Sequence, residues 1–169
     1  MTAVGQVKRA VAAAIKAAGC AAIESYSEEQ LKRYATAVAA VGMKETVIEE
    51  SGAARYLGEK VDEATQETVS VYGRKMLLTL LIEVYAPRTL GAAGCEKAAE
   101  AVTQALMTAL PEGLKLGSLQ WGKTGWDKTT GMFRLDASAK YAAYFVAEAA
   151  EDETVFTDFV LKGTVKERE

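Results

Sequence analysis

Two long runs of alternating side chains constrain this chain more than any other feature. From Arg74 to Tyr85, the residues Met76, Leu78, Leu80, Ile82 and Val84 make one unbroken apolar face, while Lys75, Thr79 and Glu83 punctuate the other. Pro87 ends the run, because proline cannot donate to a sheet ladder. The second run places Phe133, Leu135, Ala137, Ala139, Tyr141, Ala143 and Phe145 on one side. Arg134, Asp136, Ser138 and Lys140 lie on the other. A strand that is apolar on one side only belongs to an antiparallel sheet covered on one face, since parallel sheets are buried on both.

Something must cover that apolar face, and two helical patterns supply it. Val4, Val7, Val11, Ile15 and Ala18 recur at helical spacing, and Gly19 stands where a helix needs a left-handed exit. Cys95, Ala98, Ala99, Val102, Leu106, Ala109 and Leu110 follow the same spacing, closed by Pro111 and Gly113. Ser27 and Gln30 outline a capping box for a short further helix ahead of Leu31 and Tyr34. Ala37 to Ile48 reads as a strand, with Gly52 and Gly58 bracketing a loop after it, and Leu114 to Gly122 reads as a short strand. Asp127 to Gly131 is turn chemistry, and after an acidic turn at Glu151 to Glu153 a last strand is expected over Val155 to Val165. The segment from Gly58 to Gly73 is polar and reads as a protruding hairpin or long loop. The expected fold is therefore α+β: one domain over residues 1–169, a mainly antiparallel sheet with two main helices packed on one face.

Composition narrows the chemistry. The 169 residues carry a formal net charge of -3 and include no histidine. Triads and dyads that rely on an imidazole base are excluded within the chain, as are metal sites that rely on imidazole ligands. Two cysteines, Cys20 and Cys95, cannot make a structural zinc site and read as small buried apolar residues. The acidic balance argues against a nucleic-acid binder, which needs a basic surface. Val7 to Cys20 has the outline of a lipoprotein signal, but Lys16 interrupts its apolar stretch too early. The longest apolar run, Met76 to Ile82, is far too short to span a bilayer, so a soluble cytoplasmic protein is expected.

The remaining motifs favour contact over catalysis. Gly117 to Thr124 matches the phosphate-loop pattern G-x-x-x-x-G-K-[ST], yet the mechanism needs a helix directly after it, and Gly125-Trp126-Asp127 begins none. It is read as the shoulder of a β-hairpin. Glu148, Glu151, Asp152 and Glu153 lack the spacing of a calcium loop, so no metal is expected. Glu83 sits near the end of an apolar strand, where a carboxylate can be tuned for acid-base work, but no mate is visible. Trp121 and Trp126 flank a glycine-bracketed turn, a common setting for anchors at protein contacts. No nucleophile, base and orienting partner occur together.

Several blocks, in order along the chain, resemble the tail terminator or tail-completion proteins of long-tailed phages and prophages. They are the N-terminal helix, Ile23 to Glu29, Lys32-Arg33-Tyr34, Tyr56-Leu57-Gly58, Tyr72 to Lys75, Tyr85-Ala86-Pro87, Gly91 to Cys95, Asp127 to Phe133, Phe156 to Phe159 and Lys162-Gly163. The resemblance covers most of the chain, in pattern and order rather than in a catalytic motif. It implies a small α+β subunit that closes into a ring, a hexamer, on the end of the tail tube and offers a joining surface to the head-side connector. No enzymatic step and no cofactor are expected of it. The partners implied are further copies of the chain, the tail tube protein and the connector protein, first in the bacterial cytoplasm and then in the virion tail. Tyr56, Leu57, Tyr72, Trp121 and Trp126 are the candidate subunit or partner contacts. A monomeric domain binding a small ligand in an apolar pocket between helix and sheet is the alternative, and a nucleotide-binding protein using the 117–124 loop the more distant one.

Overall fold

The two alternating runs become the central pair of strands in a single sheet. The computed structural model describes residues 3–50 and 56–148. Gly52, the acidic turn at Glu151 to Glu153 and the strand expected over Val155 to Val165 lie outside the described residues. In chain order the elements are α1 (Ala3–Ala17), β1 (Ala21–Ile23), α2 (Glu28–Leu31), β2 (Val38–Glu50), β3 (Tyr56–Val61), β4 (Thr68–Pro87), α3 (Gly91–Thr108), β5 (Lys115–Trp121), β6 (Gly125–Asp127) and β7 (Met132–Glu148). The sheet has seven strands in the order β1-β2-β4-β7-β5, with β3 also pairing β4 and β6 also pairing β7. All pairings are antiparallel except β1 with β2. This is an α+β fold.

Strands β4 and β7 are in register from Val71 opposite Glu148 to Pro87 opposite Met132. Directly paired residues point to the same face, so the register sorts the side chains into two sets. Met76, Leu78, Leu80, Ile82 and Val84 share a face with Leu135, Ala137, Ala139, Tyr141 and Ala143. Helices α1 and α3 cover it, burying Val7, Val11, Ile15, Cys95, Val102 and Leu106 in the same cluster. Each fully buried side chain of this kind contributes about 1.5–3 kcal/mol before entropy is counted. Close approach of α3 depends on Gly94, where a Cβ would stand 2.6 Å from that of Leu90 and 3.3 Å from that of Ala86. Gly19 leaves α1 with φ +85, the left-handed exit its position foretells. Ser27 caps α2, its hydroxyl accepting from the Gln30 N–H.

Two expectations need correction. The sheet is not covered on one face only: Ile23, Leu31, Val38, Ala40, Tyr85 and Met132 form a second buried cluster on the opposite face, at the β4 C-terminal end. The short α2 brings Leu31 into it, so Tyr85 is only 1% exposed. Nor does β4 begin at Arg74. It starts at Thr68, pairs first with β3 and then with β2, and Gly58 lies inside β3 at a bulge with φ +140 rather than at a loop boundary. Strands β3 and β4 pair antiparallel across this segment, with the turn between them at residues 62–67.

Tyr141 carries a testable cost. It is 2% exposed, and its hydroxyl has no hydrogen-bond partner among the described residues. Tyr141→Phe removes that unsatisfied group and keeps the ring. It is expected to raise stability by about 1 kcal/mol, read as a higher urea midpoint. A loss of stability would show that the hydroxyl is bonded after all.

Candidate functional site

Three features stand out against the packed core: a charged cluster, a protruding arm and an aromatic cleft. The charged cluster arises because β4 and β7 place Glu83 opposite Asp136 and Tyr85 opposite Arg134 on the face away from α1 and α3. Arg134 Nη2 lies 2.7 Å from Glu83 Oε1, and the same guanidinium donates to Asp136 from Nε at 2.6 Å and from Nη2 at 2.8 Å. The Tyr85 hydroxyl donates to Glu83 at 3.2 Å, and the Arg134 guanidinium lies 6.0 Å from the centre of the Tyr85 ring. Burial pushes the Glu83 carboxyl above its ordinary range, Arg134 pulls it back and Asp136 adds to the rise. Every charge here is engaged by another member of the cluster. The Glu83–Arg134 contact crosses from β4 to β7, so the cluster fixes these two strands against each other.

Burial governs the two thiols. Cys20 and Cys95 are both buried and free. Cys95 donates to the Phe133 carbonyl at 3.2 Å, and burial pushes its thiol up to about 11. Among the described residues, no group of three or more carboxylates or cysteines is placed to hold a metal. No described helix is long and apolar enough to cross a membrane. Gly117 to Trp121 belongs to the ladder that β5 makes with β7, and the chain then enters β6 rather than a helix. That geometry offers no cradle of N–H groups at a helix start.

The arm forms where the sheet outruns its helices. Past the bulge at Met43/Glu45, β2 continues to Glu50, and β3 prolongs the same edge of β4 towards the turn. Met43 is 57%, Ile48 49% and Val61 58% exposed. By register these three, with Tyr56 and Tyr72, share the face that α1 and α3 cover elsewhere. Tyr56 and Tyr72 pack edge to face at 5.7 Å. Leu57, in the bulge between Tyr56 and Gly58, is buried at 8% exposure.

The aromatic cleft is at the far end of the sheet. Trp126 on β6 lies edge-on to Phe133 at 5.1 Å, and with Arg88 these residues line an open cleft of about 390 Å³. Trp121 is not part of it. Its indole N–H donates to Thr103 Oγ1 on α3 at 2.9 Å, and its ring is only partly exposed against the main core. The structure thus groups Tyr56 with Tyr72 on the arm, sets Trp126 in the cleft, and fixes Leu57 and Trp121 against the fold. Arg134, the mate of Glu83, was missed by sequence reading. Only the strand register reveals it, since the two residues are 51 positions apart and diagonal across one ladder.

No protein-family model matches the chain, and no curated protein matches it.

Proposed function

We propose that this protein is a structural subunit of a phage or prophage tail, assembling into a hexameric ring that caps the tail tube and presents the head-side joining surface. The observation that carries the reading is the arm: a strand-paired extension of the sheet beyond its helices, with Met43, Ile48 and Val61 exposed along one face. Large apolar side chains grouped on a protruding, hydrogen-bonded ribbon support a role in contact with another protein. The phage-tail resemblance supplies the identity of that contact. On this reading the protein acts without cofactor or catalysis, binds no nucleic acid by direct readout, and works in the host cytoplasm before joining the virion tail. Its partners are its own copies, the tail tube protein and the connector protein.

The test is to add the purified protein to growing tail tubes and score length and tube ends by electron microscopy. Density at one end and an arrest of growth are expected. A chain shortened at the arm, with residues 62–68 replaced by Asn-Gly, is expected to lose both effects. Unchanged tube length with the intact protein would refute the role.

The alternative of a monomeric ligand-binding domain needs an apolar chamber between helix and sheet. That space is filled by Val7, Val11, Ile15, Val102 and Leu106. Two open surface grooves lie elsewhere, one beside Arg33 and Tyr34 and the other at Trp126.

A further inference from the structure

The geometry points to a head-to-tail contact in which the arm turn of one copy docks into the Arg88–Trp126–Phe133 cleft of the next. This inference rests on the ring reading and specifies which surfaces make the ring.

The two surfaces are complementary in charge and in shape class. At the arm end, Glu59, Asp62, Glu63 and Glu67 surround the exposed Val61, with Lys60 the only cation between residues 59 and 67. Among the described residues, no ion pair neutralises Glu59, Glu63 or Glu67. The turn is held by its own hydrogen bonds: Asp62 N–H donates to the Glu67 carbonyl and Gln66 N–H to the Asp62 carbonyl, both at 2.8 Å. At the cleft end, Arg88 lines the opening, and Lys123 and Lys128 flank Trp126 in the chain. None of these three cations is ion-paired among the described residues. Trp126 remains 45% exposed although it is already fixed against Phe133, which makes it a preorganised anchor. The cleft, about 390 Å³, is open at the surface and has room for apolar side chains of a hairpin.

Position rules out closure within one molecule. The arm turn lies at the start of β4 and Arg88 just past its end, and a strand of 20 residues spans about 65 Å. An acidic turn at one end and a basic aromatic cleft at the other can meet only between copies. Such a contact is heterologous, and heterologous contacts close into rings when the rotation permits. A foreign acidic peptide is the other occupant of this chemistry, but the chain itself carries a hydrogen-bonded acidic and apolar turn placed where a neighbour can use it.

Charge exchange tests this with surface substitutions that leave the core intact. The parent, an arm variant (Glu63→Lys with Glu67→Lys), a cleft variant (Arg88→Glu with Lys128→Glu) and the fourfold combination are compared by light scattering. Each single-surface variant is expected to need at least about a hundredfold more protein for half assembly than the parent. The 1:1 mixture of the two variants, in which both reversed and both native surfaces match, is expected to recover ring mass, as is the fourfold chain. Recovery also shows that the variants are folded. If both variants assemble like the parent, or if they fail and neither mixture nor combination recovers, the docking is wrong while the ring reading stands. If the parent itself stays monomeric even with tail tubes present, the ring reading falls and the docking falls with it.

Discussion

Arg134→Met is expected to destabilise the fold by about 2 kcal/mol at neutral pH and by much less near pH 4. Removing one partner of a fully buried pair costs about 3–5 kcal/mol, because the other charge is left uncompensated. The value here is set lower because the Arg134 side chain is 37% exposed, although that of Glu83 is only 11% exposed. The pH dependence follows from the sign of the Glu83 shift. Its carboxyl is already raised in the folded state, with burial the leading cause and Arg134 holding it down. A folded state that binds the proton more tightly than the unfolded chain loses stability as pH rises from the unfolded value, about 4.3, through the folded one. Without Arg134 that window extends upward, so the loss grows with pH. Urea unfolding at pH 4 and pH 7 measures it, and Glu83→Gln in the Arg134→Met background is expected to recover most of the neutral-pH loss. An equal loss at both pH values would show that Arg134 acts through packing alone.

Ile82→Ala should cost more, about 3–4 kcal/mol, at any pH. Ile82 is 0% exposed in the C-terminal half of β4, flanked by Val41 on β2 and Ala137 on β7 and covered by the helices. Its neighbours on both strands are held by continuous ladders, so the site cannot collapse, and the cavity term adds to the lost transfer energy. Since a domain of this size has about 5–15 kcal/mol in total, the loss would take from about a fifth to about four fifths of its stability. Denaturant midpoints with an unchanged slope are the readout. A loss under about 1 kcal/mol would mean that the helices repack onto the shortened side chain.

The central sheet and both main helices were legible because period two and period 3.6 survive along long segments. Ile82 and Leu135 can be assigned to the core from alternation alone, and Gly19 to the left-handed end of α1 from the residues that precede it. What was hidden has physical reasons. In β2, the bulge at Met43/Glu45 shifts the alternation, so which side chains continue the covered face is lost without the register. Strands β1 and β6 have three residues each, too few to show a period, and exist because a neighbour offers a ladder. Tyr85 reads as one end of an apolar run, but its burial depends on Leu31 arriving from α2 on the other side. The Glu83–Arg134 pair and the meeting of Arg88, Trp126 and Phe133 are products of long-range pairing, which no local pattern encodes. The phosphate-loop letters at Gly117 to Thr124 could be set aside from sequence because no helix begins after them, and edge strand β5 accounts for Gly117 to Trp121.

The ring is the central claim, and absolute mass in solution tests it most directly. Light scattering across a concentration series, at low and high salt and with tail tubes added, is expected to show a species several times the monomer mass, alone or once tubes are present. High salt is expected to weaken it, since screening acts on an acidic turn held by cations. A strict monomer at high concentration that also ignores tail tubes would contradict the account.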